Sequence, residues 1–305
     1  MLSLVAAAAA SLVLTGTFVQ VARRLGWGKA IRAQGPESHL GKAGTPTMGG
    51  VAFLLAAVGA WALFGGVARP EAALAALVIG SGLLGLYDDT LSLARKREAA
   101  AGAEPTAGGL GARYRLVVQG AMALGFAWWA VSAGHALLGS AWLDVAAYAL
   151  VIVGAINAFN FTDGVDGLAA GVTAIILLFF LASPFAAALL GALLGFLWYN
   201  GHPARVFMGG VGSEALGAAV AGLAILDGTV WYLPLVALVP VLEVLSVIVQ
   251  VGYFRLTGGK RLLRMSPLHH HFELSGWSET RVATRFCLVT ALCVALALAF
   301  ARGAP

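Results

Sequence analysis

Charged residues are scarce in this chain: only 11% of its 305 residues are Asp, Glu, Lys or Arg, while 60% are hydrophobic. A soluble domain carries about a quarter charged residues, so this composition excludes one and indicates an integral membrane protein. Cysteine is also rare, with only Cys287 and Cys293, both in the last apolar run. The pair offers neither a disulfide framework nor a metal site, and small membrane-buried residues are the simplest interpretation.

Ten apolar segments come close to the roughly 20 residues that a membrane-spanning helix needs. They predict an all-α integral membrane protein forming one domain, residues 1–305, with spans at about 2–21, 49–67, 71–90, 115–134, 141–159, 167–183, 184–200, 211–227, 230–252 and 281–301. The first segment lacks a clear cleavage site and is interpreted as a retained span. The boundary between the sixth and seventh depends on Ser183-Pro184, which could instead mark a kink.

Basic residues are distributed unevenly between the loops. Every Lys and Arg except Arg69 and Arg302 lies in or beside the loops after the first, third, seventh and ninth spans. The positive-inside rule therefore predicts that these loops are cytoplasmic and that both termini are outside. Because the charges are spread over separate loops, they suit anionic lipid and an anionic substrate better than nucleic acid.

The densest polar stretch is Asn157–Gly167, which places Asn157, Asn160, Asp163 and Asp166 between segments of spanning length. Such a group is costly in a membrane unless it faces water, a metal or a polar ligand. We therefore expect it to form part of a functional site. The alternative is an ordinary connecting loop.

Two adjacent carboxylates, Asp88 and Asp89, are predicted at the cytoplasmic end of the third span. They repel each other, and the C-terminal end of a helix dipole is also unfavourable to them. The pair predicts a divalent cation or a cationic partner, with Mg²⁺ favoured by ligation through oxygen alone. The alternative is a solvated helix end paired with Arg95 or Lys96.

Three further segments predicted on the same face carry groups suited to phosphate or to a flat ring. They are Gly35–Gly50 with Lys42, Arg205–Glu214 with Phe207 and several glycines, and Pro267–Glu273 with His269, His270 and His271. A glycine-rich turn before a helix is a natural anion site, and a lysine donates to phosphate. Three consecutive histidines cannot all face one metal, so some would contact phosphate or transfer protons. Each segment alone also fits a polar loop, and their shared face is what indicates a site.

Five segments together resemble one known family. GPESHLGKAGTPTMGG, GLYDDT, NAFNFTDGVDGLA, VFMGGVGSEALG and PLHHHFE follow the order of the phospho-N-acetylmuramoyl-pentapeptide transferase family, which belongs to the polyprenyl-phosphate N-acetylhexosamine-1-phosphate transferase superfamily. The resemblance runs from about Ile31 to Arg281. TPTMGG and PLHHHFE are typical of this branch rather than of sister enzymes that use N-acetylglucosamine.

The resemblance implies a transferase of the bacterial inner membrane with a cytoplasmic active site, and a homodimer in the bilayer. Undecaprenyl phosphate would attack the β-phosphate of UDP-N-acetylmuramoyl-pentapeptide, with Mg²⁺ assisting, to give lipid I and UMP. Position by position, it implies metal binding and lipid-phosphate activation for Asp88 and Asp89. It implies further catalytic roles for Asp163 and His269, and substrate binding for Lys42, Asn157, Asp166, Phe207, His270 and His271.

The chain departs from the family pattern VFMGDVGSLALG at two positions. Gly210 stands where the pattern has a metal-binding aspartate, and Glu214 where it has an apolar residue; Ser92 also replaces a usual lysine. Because Glu214 follows Gly210 by about one helical turn, it is our candidate replacement metal ligand. Three functional alternatives stay open: a related transferase with another UDP-sugar, a catalytically impaired paralogue, and a non-catalytic membrane binding or transport protein.

Overall fold

The computed structural model describes residues 1–28, 42, 44–100 and 109–303. The first part of the predicted Gly35–Gly50 loop therefore lies outside the described residues. Within the described ranges the chain forms helices and no β-strand. The helices are α1 (Leu2–Arg24), α2 (Gly50–Phe64), α3 (Arg69–Ala100), α4 (Ala112–Ser132), α5 (Ala141–Thr162), α6 (Leu168–Leu177), α7 (Pro184–Asn200), α8 (Gly209–Leu226), α9 (Leu233–Val236), α10 (Leu238–Leu256), α11 (Leu268–Glu273) and α12 (Glu279–Gly303).

The prediction of an all-α membrane protein is confirmed. Six of the described helices are long and apolar enough to cross a membrane: α1, α3, α5, α8, α10 and α12. Helices α2, α6 and α7 are apolar but shorter. The predicted break at Ser183-Pro184 is confirmed, because α6 ends at Leu177 and the Ser183 side chain caps α7 by accepting a hydrogen bond from the Ala186 amide.

Several predicted spans have different bounds in the structure; the sixth, predicted over 167–183, is a helix only over Leu168–Leu177. The segment predicted as one span over 230–252 is divided into a 3-10 turn, α9 and α10. Pro234 and Pro240 lie in the first turns of α9 and α10, where a missing backbone N–H is tolerated. Helix α3 continues ten residues beyond the predicted end at 90, because the segment after Asp89 is rich in Leu, Ala, Arg and Lys and has no glycine or proline. Asp88 and Asp89 consequently lie inside a helix, so the unfavourable C-terminal dipole invoked for them does not apply.

Helix α8 is the central helix of the bundle, and nearly every residue from Gly209 to Ile225 is buried. It packs against α3 and α5 at positions occupied by glycine. A Cβ atom on Gly85 of α3 would overlap the backbone of Gly210, and one on Gly217 would lie 2.5 Å from the Ala155 carbonyl oxygen of α5. Small residues let membrane helices approach this closely. The close packing brings the first turn of α8 directly beside Asp89.

Candidate active site

Asp88 and Asp89 come from the middle of α3 and face different partners. One Asp88 carboxylate oxygen accepts a hydrogen bond from the Leu110 amide, and the other lies 3.6 Å from Nη1 of Arg115. Asp89 Oδ2 accepts from the Val211 amide at 3.3 Å, at the start of α8. The two side chains are half-buried. They place two hard oxygen donors between α3, α4 and the N-terminus of α8.

The two glycines that begin α8 lie against Asp89 but tolerate different changes. Gly209 has a φ of 73°, and a Cβ built there would lie 2.5 Å from Asp89 Oδ2. At Gly210 the same construction meets Asp89 Oδ1 only at 3.4 Å, which is ordinary contact. The backbone therefore favours glycine at position 209 and has space for a Cβ atom at position 210. Packing against Asp89 therefore does not explain why this chain has glycine, and not the aspartate of the family pattern, at position 210.

A second polar network joins α4, α5 and α8. Nη2 of Arg115 donates to Glu214 Oε1 at 2.7 Å, and Nε2 of Gln119 donates to Glu214 Oε2 at 3.2 Å. The Gln119 side-chain oxygen accepts from Asn157 Nδ2 at 2.9 Å. Asn160 lies in the same network, 3.5 Å from Arg115 Nη2. The predicted site residue Asn157 is thus connected to Glu214 through Gln119, which the sequence analysis had not singled out.

Lys42 is the centre of a third cluster. Its ammonium nitrogen lies 2.6 Å from Asp166 Oδ1 and 2.5 Å from Glu279 Oε2, and both carboxylate side chains are at most 6% exposed. Asp166 Oδ2 accepts from the Ala204 amide and lies 3.0 Å from Nδ1 of His202. The ammonium also lies 5.8 Å from the centre of the Phe207 ring. The predicted residues Lys42, Asp166 and Phe207 are therefore brought together.

Three members of this cluster could hold a metal ion by their chemistry alone. Potential ligand atoms of Asp166, His202 and Glu279 all lie within 4.8 Å of one another. The Lys42 ammonium, however, contacts both carboxylates and supplies a positive charge at the position where a cation would be needed. Two nearly buried carboxylates require such a partner. We interpret the group as a lysine-centred ion-pair cluster.

The three histidines form a short helix, α11, and each has its own partner. Nδ1 of His269 lies 3.2 Å from Glu243 Oε2, and the His269 amide donates to Glu243 Oε1 at 3.2 Å. His270 Nδ1 lies 2.7 Å from Glu273, and His271 Nδ1 accepts from the Arg264 amide. The three rings therefore face three different protein partners. Glu243 is fully buried.

His269 is packed against the Asn157–Gly167 stretch rather than exposed at a surface. Only 1% of its side chain is exposed, and a Cβ on Gly164 would overlap the ring, with Cε1 2.6 Å away. Gly164 follows Asp163, the residue that ends α5. The absence of a side chain at Gly164 thus allows α11 to contact the end of α5.

We predict that Gly164→Ala will lower the thermal unfolding temperature and reduce any catalytic activity at least about tenfold. The added methyl overlaps a buried ring that cannot move without leaving Glu243, and such overpacking costs about 1–3 kcal/mol. Thermal unfolding in detergent and an activity assay provide the measurements. Gly154→Ala on the exposed face of α5 is the matched control, since nothing lies within 4 Å of its Cβ. Equal behaviour of the two variants would contradict the packing interpretation.

The structure joins the predicted site residues into neighbouring clusters and adds several that sequence reasoning missed. The additions are Arg115, Gln119, His202, Glu243 in its contact with His269, and Glu279. Arg115 and Gln119 are four residues apart on α4, a spacing that places them on one helix face. Their spacing in the sequence could therefore have indicated a shared polar face on α4. His202 and Glu279 are distant in sequence from their partners and gave none.

The comparisons with known proteins agree with this architecture. Residues 72–227 match glycosyl transferase family 4, so the chain belongs to this class of membrane transferase. Residues 42–54, which begin at Lys42, match signature 1 of phospho-N-acetylmuramoyl-pentapeptide-transferase.

Several curated relatives carry that name. The protein of Deinococcus radiodurans is 46% identical, covering 99% of this chain and 100% of the relative. That of Carboxydothermus hydrogenoformans is 44% identical over 88% of each chain, and that of Caldanaerobacter subterraneus is 41% identical over 90% and 89%. The chain therefore belongs to the phospho-N-acetylmuramoyl-pentapeptide-transferase family.

Proposed function

We propose that this protein transfers phospho-N-acetylmuramoyl-pentapeptide from its UDP conjugate to undecaprenyl phosphate, forming lipid I. An oxygen of the lipid phosphate forms a bond to the β-phosphorus of the nucleotide. The bond from that phosphorus to the bridging oxygen breaks, and UMP leaves with the electron pair. The supporting observation is that Asp88-Asp89, the Arg115 network and the Lys42 cluster lie around the two ends of the segment from Phe207 to Glu214, in a protein of this family.

The residues have chemistry suited to phosphoryl transfer, which depends mainly on positioning and on neutralising charge. We propose that Phe207 stacks on the uracil ring and that Lys42, 5.8 Å from the ring centre, stabilises the adjacent phosphates. Asp163, Asn157, His270 and His271 would complete the substrate contacts. Asp166 and His269 are nearly fully buried against protein partners, so we propose that they act by holding Lys42 and the end of α5 in place.

Mg²⁺ is the metal that the Asp88 and Asp89 carboxylates fit best, because it prefers hard oxygen ligands and shares its coordination with substrate phosphates. When bound, it would neutralise charge on the pyrophosphate. Asp89 of α3 faces the start of α8 and Asp88 lies beside Arg115, so the two aspartates would provide the protein ligands on this side. Gly210 contributes no carboxylate. Both Glu214 oxygens already accept hydrogen bonds, and its role as a metal ligand stays a prediction.

The protein's placement follows from the same proposal. We infer a bacterial inner-membrane location, with the polar clusters on the cytoplasmic side and both termini outside, from the distribution of basic residues. A homodimer is expected from the family resemblance. Cysteine labelling with a membrane-impermeant reagent at the exposed Val67, between α2 and α3, tests the orientation, because this position should react from outside the cell.

A transporter or binding protein is the alternative from another functional class. Transport sites usually lie near the bilayer midplane, between discontinuous helices. Here the connected polar groups lie at one end of the bundle, on the second half of α3 and at the beginnings of α4, α8, α11 and α12. This placement favours an interfacial enzyme that uses one lipid and one soluble substrate.

The decisive experiment follows UMP release from UDP-N-acetylmuramoyl-pentapeptide with undecaprenyl phosphate in detergent, with Mg²⁺ or EDTA. We expect UMP only with both substrates and Mg²⁺, and not from the Asp89→Asn variant. UDP-N-acetylglucosamine in place of the first substrate tests the related transferase alternative. Absence of UMP under every condition would refute the proposed activity.

A further inference from the structure

Glu214 is a carboxylate in the second turn of the central helix with no exposed surface. Burying an ionised carboxylate is expensive unless charged and hydrogen-bonding partners compensate it. Arg115 supplies the charge at 2.7 Å, and Gln119 donates to the second oxygen at 3.2 Å. Both carboxylate oxygens therefore point at α4.

Arg115 links this buried carboxylate to the aspartate pair. Its Nη2 contacts Glu214 on α8, while Nη1 lies 3.6 Å from Asp88 Oδ2 on α3. The guanidinium is planar and holds its donors at fixed angles, so an anchor on one nitrogen determines where the other points. The side chain is 21% exposed, which places it at the edge of the buried network. Without Glu214, an arginine at this position would be able to turn toward solvent.

Gln119 is the second residue that fixes the orientation of the Glu214 carboxylate. Gln119 donates to Glu214 and accepts from Asn157, so its amide orientation is set by both contacts. Glu214 is thereby connected to Asp88 through Arg115 and to the Asn157–Gly167 stretch through Gln119. A residue with both connections can influence the reaction without touching substrate or metal.

We propose that Glu214 is a positioning residue that holds the Arg115 guanidinium against Asp88, and that it does not ligate the metal. The Arg115 charge stabilises two adjacent ionised carboxylates and fixes the direction of Asp88. This inference rests on the proposed transferase activity. It replaces our sequence prediction of Glu214 as a metal ligand with a different role for the same residue.

A double-mutant comparison tests the proposal. The variants are Glu214→Ala, Arg115→Ala, the double variant and the conservative Arg115→Lys and Glu214→Gln, each assayed for kcat, KM and the Mg²⁺ concentration giving half-maximal rate. Outer-shell partners of metal sites typically contribute 10–100-fold, so each alanine variant should lose about that factor in kcat. Because both residues act through one contact, the double variant should lose no more than the worse single variant. Glu214→Gln, which keeps the hydrogen-bond acceptor, should retain more activity than Glu214→Ala.

Direct metal ligation gives a different pattern. If Glu214 bound Mg²⁺, removing it would raise the required Mg²⁺ concentration even when Arg115 is already alanine. That result, or losses in kcat that multiply in the double variant, would overturn the proposal. Wild-type protein that releases no UMP would instead refute the proposed function. In that case Mn²⁺ binding measured by electron paramagnetic resonance still tests whether Glu214 ligates the metal. If it does not, Arg115→Ala and the double variant should bind Mn²⁺ with equal affinity.

A structural control separates positioning from general destabilisation. Glu71, near the start of α3 and 17 residues before Asp88, accepts hydrogen bonds from Trp61, Ser183 and the Phe185 amide. Glu71→Ala should lower the thermal unfolding temperature in detergent and leave the Mg²⁺ requirement unchanged. If Glu214→Ala matches Glu71→Ala in both measurements and keeps full kcat, Glu214 is only structural and the proposal fails.

Discussion

Replacing Gly210 with aspartate is expected to lower the Mg²⁺ concentration for half-maximal activity by about tenfold or more, because ligand charge count tunes the affinity of carboxylate sites for divalent cations. A Cβ at this position meets Asp89 Oδ1 and the Gly85 carbonyl oxygen at 3.4 Å, so the backbone has space for the first side-chain atom. The new carboxylate would begin beside Asp89 and match the aspartate of the family pattern. Titrating Mg²⁺ against the rate of UMP release measures the effect.

The same substitution should change stability in a metal-dependent direction. Without Mg²⁺, a third carboxylate next to Asp88 and Asp89 adds like-charge repulsion and should lower the unfolding temperature. Adding Mg²⁺ should then raise the unfolding temperature of Gly210→Asp by more than it raises that of the unaltered protein, because the metal binds the folded variant more tightly. Thermal unfolding in detergent, with EDTA or with Mg²⁺, measures both effects.

Three matched variants make the Gly210 prediction specific. Gly210→Asn has nearly the same shape without the charge, and Gly210→Ala has only the Cβ atom; neither should improve Mg²⁺ use. Gly209→Asp should disrupt the site, since its φ of 73° and the 2.5 Å approach to Asp89 both oppose a side chain. An unchanged Mg²⁺ requirement in Gly210→Asp would show that this position is not part of the metal site of this protein.

The sequence was sufficient for the class of fold, and it supplied most of the residues that we propose for the site. Apolar length predicted the membrane helices, and costly polar groups in apolar surroundings predicted Asp88-Asp89 and the Asn157–Gly167 stretch. The glycine-rich segment after Phe207 was expected to form a turn before a helix, whereas Gly209, Gly210 and Gly212 are already part of α8. The fold prediction succeeded because it depends on local composition, whereas the roles predicted for Asp88, Asp89 and the Asn157–Gly167 stretch stay predictions.

The pairings could not be predicted, because they depend on how helices pack. The distance from Arg115 to Glu214 is 99 residues in sequence, and from Lys42 to Glu279 it is 237. Glu214 is an example: its one-turn spacing to Gly210 could not predict that its oxygens accept hydrogen bonds from Arg115 and Gln119 of α4. Helical spacing places two residues on one face but does not select the neighbour toward which a side chain turns. The extension of α3 beyond Asp89 was missed because the apolar pattern ends before the helix does.

Replacing Lys42 with methionine is expected to produce the largest loss of stability among these variants, about 3–5 kcal/mol, the usual consequence of removing one partner from a buried ion pair. Asp166 and Glu279 are 1% and 6% exposed and would lose their shared ammonium. Unfolding by detergent titration in mixed micelles gives the free energy. Lys260→Met, at an exposed lysine, is the control and should fall within about 0.5 kcal/mol of the unaltered protein.

A second change separates stability from function at the same cluster. Adding Glu279→Gln to Lys42→Met removes one of the two carboxylates that lose the Lys42 ammonium and should restore part of the lost stability. Activity should not return, since Lys42 would still be missing beside Phe207. If stability and activity both recover in the double variant, Lys42 serves only the fold. If Lys42→Met loses no more stability than Lys260→Met, the ion-pair interpretation is contradicted.

The cluster also predicts a chemical rescue. Once Lys42 is methionine, ligand atoms of Asp166, His202 and Glu279 within 4.8 Å of one another have no ammonium between them. Two carboxylates and an imidazole are suitable ligands for Zn²⁺. Micromolar Zn²⁺ should therefore stabilise Lys42→Met and leave the unaltered protein unaffected, because in the latter the lysine charge opposes a second cation. His202→Ala in the Lys42→Met background should abolish the stabilisation; if Zn²⁺ stabilises the unaltered protein equally, the lysine is not what neutralises these carboxylates.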